Sequence, residues 1–200
     1  MSIEIVQKSL LNILEAVTDA VAASNATRSQ TRLVKRYSIT LCCLIQISKV
    51  CNSPGIWCIE TLESEKHARL FDKEWSKYGA ASAPLRVLVQ VNTSEEENKG
   101  GIKISEAPKL AEFIRKECTN LKFDGFMTIG SFDNSHANGV NPDFEKLFNV
   151  RQSWAQLTGE ESESVELSMG MSDDFLQAIQ QGSTSVRVGS KLFGAREYKK

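Results

Sequence analysis

The chain has 200 residues, 41% of them apolar, and its 24 lysines and arginines nearly balance 25 aspartates and glutamates for a formal net charge of -1. That size and apolar fraction suit one domain over residues 1–200 with one buried core, and the interspersed charges form no basic stripe, which argues against nucleic acid as a partner. The five cysteines, Cys42, Cys43, Cys51, Cys58 and Cys118, are odd in number and contain no CxxC pair, which argues against a disulfide framework and a structural zinc site and for a reducing compartment.

Ile3, Val6, Leu10, Ile13, Leu14, Val17 and Val21 recur at helical spacing, with Glu4, Lys8, Asn12, Glu15 and Asp19 between them. This predicts an amphipathic first helix, and Glu4 within it makes a poor secretory signal. A polar stretch over 23–30 reads as a loop leading into Arg32, Leu33 and Val34. The most apolar run, 39–47, is about half the ~20 residues that a membrane-spanning helix needs, so it reads as a buried strand or short helix and no membrane is expected as a partner.

From Ile56 onward, short apolar runs alternate with helical segments, the pattern of repeated βα units. Strands are predicted over 57–60, 86–91, 123–128, 165–168 and 186–188, and helices over 64–78, 105–117, 143–157 and 173–181. Ser64, Ser105 and Ser172 are the expected caps. Parallel strands need crossover helices, so this order implies a parallel sheet, closed as a barrel or open and doubly wound. In both architectures ligands bind at the carboxyl ends of the strands, here at Glu60-Thr61, Asn92-Thr93-Ser94, Thr128-Ile129-Gly130, the 168–172 segment SMGMS and Gly189-Ser190.

The densest of these corners is the 186–190 segment VRVGS. A glycine lets backbone N–H groups approach an anion and a serine adds a hydroxyl donor, so Gly189 and Ser190 can cradle a phosphate. Ser168, ending the preceding strand, offers a third donor, and Arg187 lies near the ligand at a different height. The plainer reading makes Gly189 a turn, Ser190 a cap and Arg187 the partner of a carboxylate. Asn92-Thr93-Ser94 with Glu95-Glu96-Glu97 reads as a loop with a solvated acidic face, and His67 and His136 lack partners at metal or triad spacing.

Several of these segments occur together in a known order: VQVNTS over 89–94, GFMTIG over 125–130, NPDF over 141–144, ELSMGMSDDF over 166–175, GSTSVRVGS over 182–190 and FGAREY over 193–198. In these motifs the stretch from about residue 49 to 200 closely resembles the pyridoxal phosphate homeostasis protein family, and the first helix with Arg32-Leu33-Val34 fits the family's opening. The resemblance implies a parallel (β/α) barrel of the type seen in the N-terminal domain of alanine racemase. It implies binding of pyridoxal 5'-phosphate (PLP) without turnover, in intracellular vitamin B6 cofactor homeostasis. Carried over by position, Ser168, Gly189 and Ser190 hold the phosphate, Arg187 faces the pyridine nitrogen, and Met127 lines the surroundings. A cation at that nitrogen disfavours ring protonation and weakens the electron sink that most PLP enzymes use. The expected protein is a cytoplasmic monomer, with mitochondria as the alternative address.

The chain departs from the family after Val34. Where the family runs into a Ser-Lys-Thr segment carrying the Schiff-base lysine, residues 35–48 diverge, and the family's Phe-Gly-Glu-Asn and Ile-Gly-His-Leu-Gln segments are absent. Lys49 aligns just before the fourth family strand and Lys35 comes too early, so no lysine is assigned the covalent role. The barrel is therefore expected to be incomplete, with about two to three strands missing near the N-terminus and unpaired edges as the consequence. A PLP-dependent racemase-like enzyme and a truncated isoform that has lost the cofactor are the alternatives.

Overall fold

The computed structural model describes residues 3–23, 32–33, 47–52, 56–78, 83–136 and 139–194. The predicted run over 39–47 lies outside the described residues except for Ile47, and Lys35 lies outside them altogether. Six strands, β1 (Arg32–Leu33), β2 (Cys58–Leu62), β3 (Leu85–Gln90), β4 (Leu121–Met127), β5 (Glu166–Ser168) and β6 (Ser185–Val186), form one sheet in the order β1-β6-β5-β4-β3-β2. Every neighbouring pair is parallel.

The sheet is curled. Ser168 on β5 donates a hydrogen bond to Glu60 on β2 at 2.8 Å, although β4 and β3 lie between those strands. Adjacent strands sit about 4.8 Å apart, so three steps across a flat sheet would span roughly 14 Å, more than a glutamate and a serine can bridge. Glu60 and Ser168 therefore face each other across a concave inner surface. The first strand of the chain also pairs with the last, Arg32 opposite Ser185 and Leu33 opposite Val186, which is the seam of a (β/α) barrel. Among the described residues no strand joins β2 to β1, so the fold is an incomplete barrel, open on that side.

The helices are α1 (Ile3–Ala23), α2 (Ile47–Cys51), α3 (Glu65–Tyr78), α4 (Ala107–Glu117), α5 (Phe132–Ser135), α6 (Pro142–Thr158), α7 (Phe175–Gln180) and α8 (Ser190–Phe193). Apolar residues of α3, α4 and α6 bury the convex side of the sheet: Ala68, Phe71, Leu110, Ile114, Leu147 and Trp154 pack with Ile59, Val87, Val89, Phe126 and Leu167. Trp154 meets Phe123 and Phe126 edge to face, with centroids 5.2 and 6.4 Å away, the geometry aromatic quadrupoles favour. A separate cluster joins Ile13, Val17 and Ala20 of α1 to Phe175, Ile179, Val186 and Leu192. The amphipathic periodicity of the first helix is thus used to cover the β6 end of the sheet.

Local sequence sets several boundaries. Asn141 accepts from the Asp143 N–H at 2.9 Å, Pro142 occupies the first helical turn, and Gly159 ends α6 in the left-handed conformation at φ 71°. Ser64 caps α3 by accepting from His67 N–H at 3.2 Å. The two other expected caps are corrected. Ser105 lies inside a single 3-10 turn over Ile104–Glu106, so that α4 begins two residues later than predicted. Ser172 precedes α7, but Asp174 is the residue that accepts from Met171 N–H, at 2.6 Å, and shapes the entry. The predicted 186–188 strand is also shorter, because Arg187 N–H goes to Gly170 O at 3.0 Å in the loop after β5.

Cys51, Cys58 and Cys118 are free and buried. Burial pushes the Cys51 and Cys118 thiols up to about 11 and the Cys58 thiol higher still, so they remain protonated and inert at neutral pH. Among the described residues no helix is long and apolar enough to cross a membrane. The dependence of the outer core on one side chain is testable: Trp154→Ala should lower unfolding free energy by about 3–5 kcal/mol, read as a fall in the urea midpoint with little change in slope.

Candidate functional site

At the carboxyl ends of the strands, four inner-face groups converge. Arg187, just past β6, donates through Nη1 to Ser168 Oγ at 2.5 Å and through Nη2 to Thr128 O at 2.7 Å. Its Nη1 lies 3.7 Å from Glu60 Oε2, the same oxygen that accepts the Ser168 hydroxyl. Glu60 is 4% exposed and Ser168 is fully buried. Burial pulls the Arg187 guanidinium below its ordinary value, and the charges of Glu60 and then Asp174 oppose that pull. The guanidinium is thus fixed in direction and largely balanced in charge.

Beside Ser168, as its register partner on β4, Met127 is buried against Cys58 and Leu88, and Ile129 packs partly against them. Met127 faces inward because its neighbour Phe126 points outward to Trp154, and the register shift between Phe123 and Gly125 brings Phe123 to the same outer side. Deeper still, Arg86 pairs with Asp124, approaches Glu166 at 4.0 Å and covers the Trp57 ring at 3.9 Å.

Gly189 and Ser190 form an exposed corner above Arg187 and open α8. Ser172 Oγ, from the loop after β5, accepts from the Gly189 and Lys191 N–H groups at 3.3 and 3.4 Å. Ser172, expected as a helix cap, therefore orders the neighbouring corner instead. A Cβ built at Gly189 would meet nothing within 4 Å, and among the described residues the Ser190 hydroxyl has no protein partner. Gly170, in contrast, is required by its own chain: at φ +93° a Cβ would come within 2.5 Å of Ala178 Cβ. The space over Gly189 is open to a ligand.

The rim is tied by backbone-directed lysines. Lys146 donates to Thr93 O and Lys99 to Gly130 O, each at 2.8 Å, while the buried Thr93 and Thr128 hydroxyls bond each other at 2.8 Å. Asn92 organises the acidic loop by accepting from Glu95 N–H at 3.0 Å. Lys49 lies exposed on α2. A polar cavity of about 370 Å³ opens at the other end of β4, but its Arg115 and Lys122 are already paired with Glu160 and Asp124.

The structure thus brings Ser168 and Arg187 into one network, sets Gly189 and Ser190 at the corner that follows Arg187, and places Met127 beside Ser168 on the adjacent strand. Sequence reasoning gave no role to Glu60. Its signal was present, since a carboxylate in a run from Ile56 to Leu62 that is apolar but for Thr61 needs a buried partner.

A Caenorhabditis elegans pyridoxal phosphate homeostasis protein is 63% identical over 243 aligned positions that span 100% of this chain and 99% of the relative. The chain belongs to the pyridoxal phosphate homeostasis protein family. The mouse member is 44% identical over 154 residues, 77% of this chain and 56% of the relative, so the match spans little more than half of that protein. PipY of Synechococcus elongatus, solved with PLP bound, is 21% identical with a TM-score of 0.54 over 94% of this chain and 78% of its own. At that identity the likeness shows the fold. No protein-family model matches the sequence.

Taking 200 residues from the 243 positions aligned with the nematode protein leaves 43, so at least that many positions face no residue of this chain. Replacing Ser172 with alanine should leave the Gly189 and Lys191 N–H groups without their acceptor. Amide hydrogen exchange at both should quicken, at a cost of about 1 kcal/mol in stability.

Proposed function

We propose that this chain binds PLP reversibly and without turnover, as a holder of the cofactor in vitamin B6 homeostasis. The observation that carries this is the pairing of an open Gly189–Ser190 corner with a fixed Arg187 beneath it, in a chain of this family. The corner offers the Ser190 hydroxyl to the phosphate, and the Gly189 and Lys191 N–H groups join it by exchanging their long bonds to Ser172 Oγ. Ser168 joins as a phosphate donor only by giving up its bond to Glu60, so its first role is to hold Arg187. Met127 and Ile129 supply an apolar wall for the ring. PLP, when bound, supplies an aldehyde on an electron-withdrawing ring, and a cationic neighbour at the ring nitrogen keeps that ring from its strongest electron-accepting form.

Membership in the family supports the same reading, as does PipY, whose structure holds PLP. A racemase-like enzyme needs a covalent lysine and a second acid or base on the opposite face of the ring. Among the described residues the strand-end lysines, Lys99 and Lys146, are engaged with backbone carbonyls. The missing positions relative to the nematode protein amount to on the order of two βα units at ordinary element lengths. We place them between β1 and β2, where the sheet is open.

Titrating the purified chain with PLP should produce a saturable visible absorption change. Arg187→Ala and Ser190→Ala should each weaken the affinity by about ten-fold, the value of a hydrogen bond to a charged group. Unchanged affinity in both variants would remove the site, and turnover of alanine would favour the enzyme.

A further inference from the structure

Glu60 sits on β2, at the open side of the sheet, yet its carboxylate reaches across the concave face to the β5–β6 end. A buried carboxylate there is costly unless paired, and the same holds for the guanidinium it faces. Two other groups fix Arg187 by hydrogen bonds, but the Ser168 hydroxyl and the Thr128 carbonyl are neutral. Asp174, the other acid acting on Arg187, is the weaker of the two charges and, among the described residues, makes no ion pair with it, whereas Glu60 lies within 3.7 Å. Balancing the cation therefore falls mainly to Glu60.

We propose that Glu60 is a positioning and specificity-determining residue: it occupies the counter-ion place of Arg187, so that the inner floor accepts a neutral ring and leaves the ligand's anion to the Gly189–Ser190 corner. The ring and corner parts rest on the PLP reading above, whereas the counter-ion part stands on the Glu60–Arg187 geometry alone. In the absence of Glu60 the guanidinium would recruit an anion from solution, and the floor would become a second anion site competing with correct seating of a phosphorylated ring.

The test uses the full chain with inorganic phosphate as the probe, followed by calorimetry. Glu60→Gln should bind phosphate about ten-fold more tightly than the unmodified chain, and the gain should vanish in the Glu60→Gln/Arg187→Met double variant. Thermal melts give a second readout that survives poor folding of Glu60→Gln. Arg187→Met leaves the carboxylate buried without its partner, so the double variant should melt above Arg187→Met alone. Phosphate affinity that is unchanged or lower in Glu60→Gln, or a double variant melting at or below Arg187→Met, overturns the proposal. A parallel PLP titration separates the two readings. If PLP fails to bind while the phosphate gain and the melts behave as stated, the holder function falls and the counter-ion role stands. If PLP binds while neither change occurs, the role of Glu60 falls alone.

Discussion

The contact that the rest of the structure turns on is the one Glu60 makes across the curled sheet to Ser168 and Arg187. A barrel lacking strands has no continuous ladder to hold its curvature, and the two free edges would be expected to let the sheet relax towards an open twist. A charge-assisted contact between β2 and the β5–β6 end ties the two sides of the concave face. The same contact fixes the direction in which Arg187 points. Architecture and site chemistry are thereby set by one group of side chains.

The βα alternation was legible because each element carried its own periodicity. The strands near 86–91 and 123–128 were readable as apolar runs and the body of α6 was readable over 143–157, whereas its ends, set by Asn141, Pro142 and Gly159, were not among the expected caps. What could not be read was any feature set by a distant partner. Ser172 looks like a cap from its neighbours, yet its hydroxyl serves amides at Gly189 and Lys191. Glu60 looks like one polar residue in a strand, and its role exists only once curvature brings β5 opposite β2. The strand at 186–188 stops early for the same reason, since a loop carbonyl at Gly170 takes the amide of Arg187.

Of the five residues singled out from sequence, Arg187 and Ser168 meet directly, and Gly189 and Ser190 adjoin them by chain continuity. Met127 falls beside Ser168 on the adjacent strand, facing inward by alternation. The two halves of the site differ physically. The floor is buried, balanced and rigidly hydrogen-bonded, whereas the corner is exposed and its Ser190 hydroxyl has no protein partner among the described residues. A phosphorylated aromatic ring matches that division, with its dianion at the wet end and its apolar body against Met127 and Ile129. The opening between β1 and β2 does not cut through these groups, since all but Glu60 come from β4 onward in the chain.

The most direct measurement is a thermal unfolding comparison of PLP with pyridoxal, which has the same ring and aldehyde but no phosphate. A ligand that binds only the folded chain raises its melting temperature with concentration. If the phosphate is the anchor, PLP should raise the melting temperature in a saturable way and pyridoxal at equal concentration should leave it nearly unchanged. Equal stabilisation by both, or by neither, would contradict a site built around the Gly189–Ser190 corner.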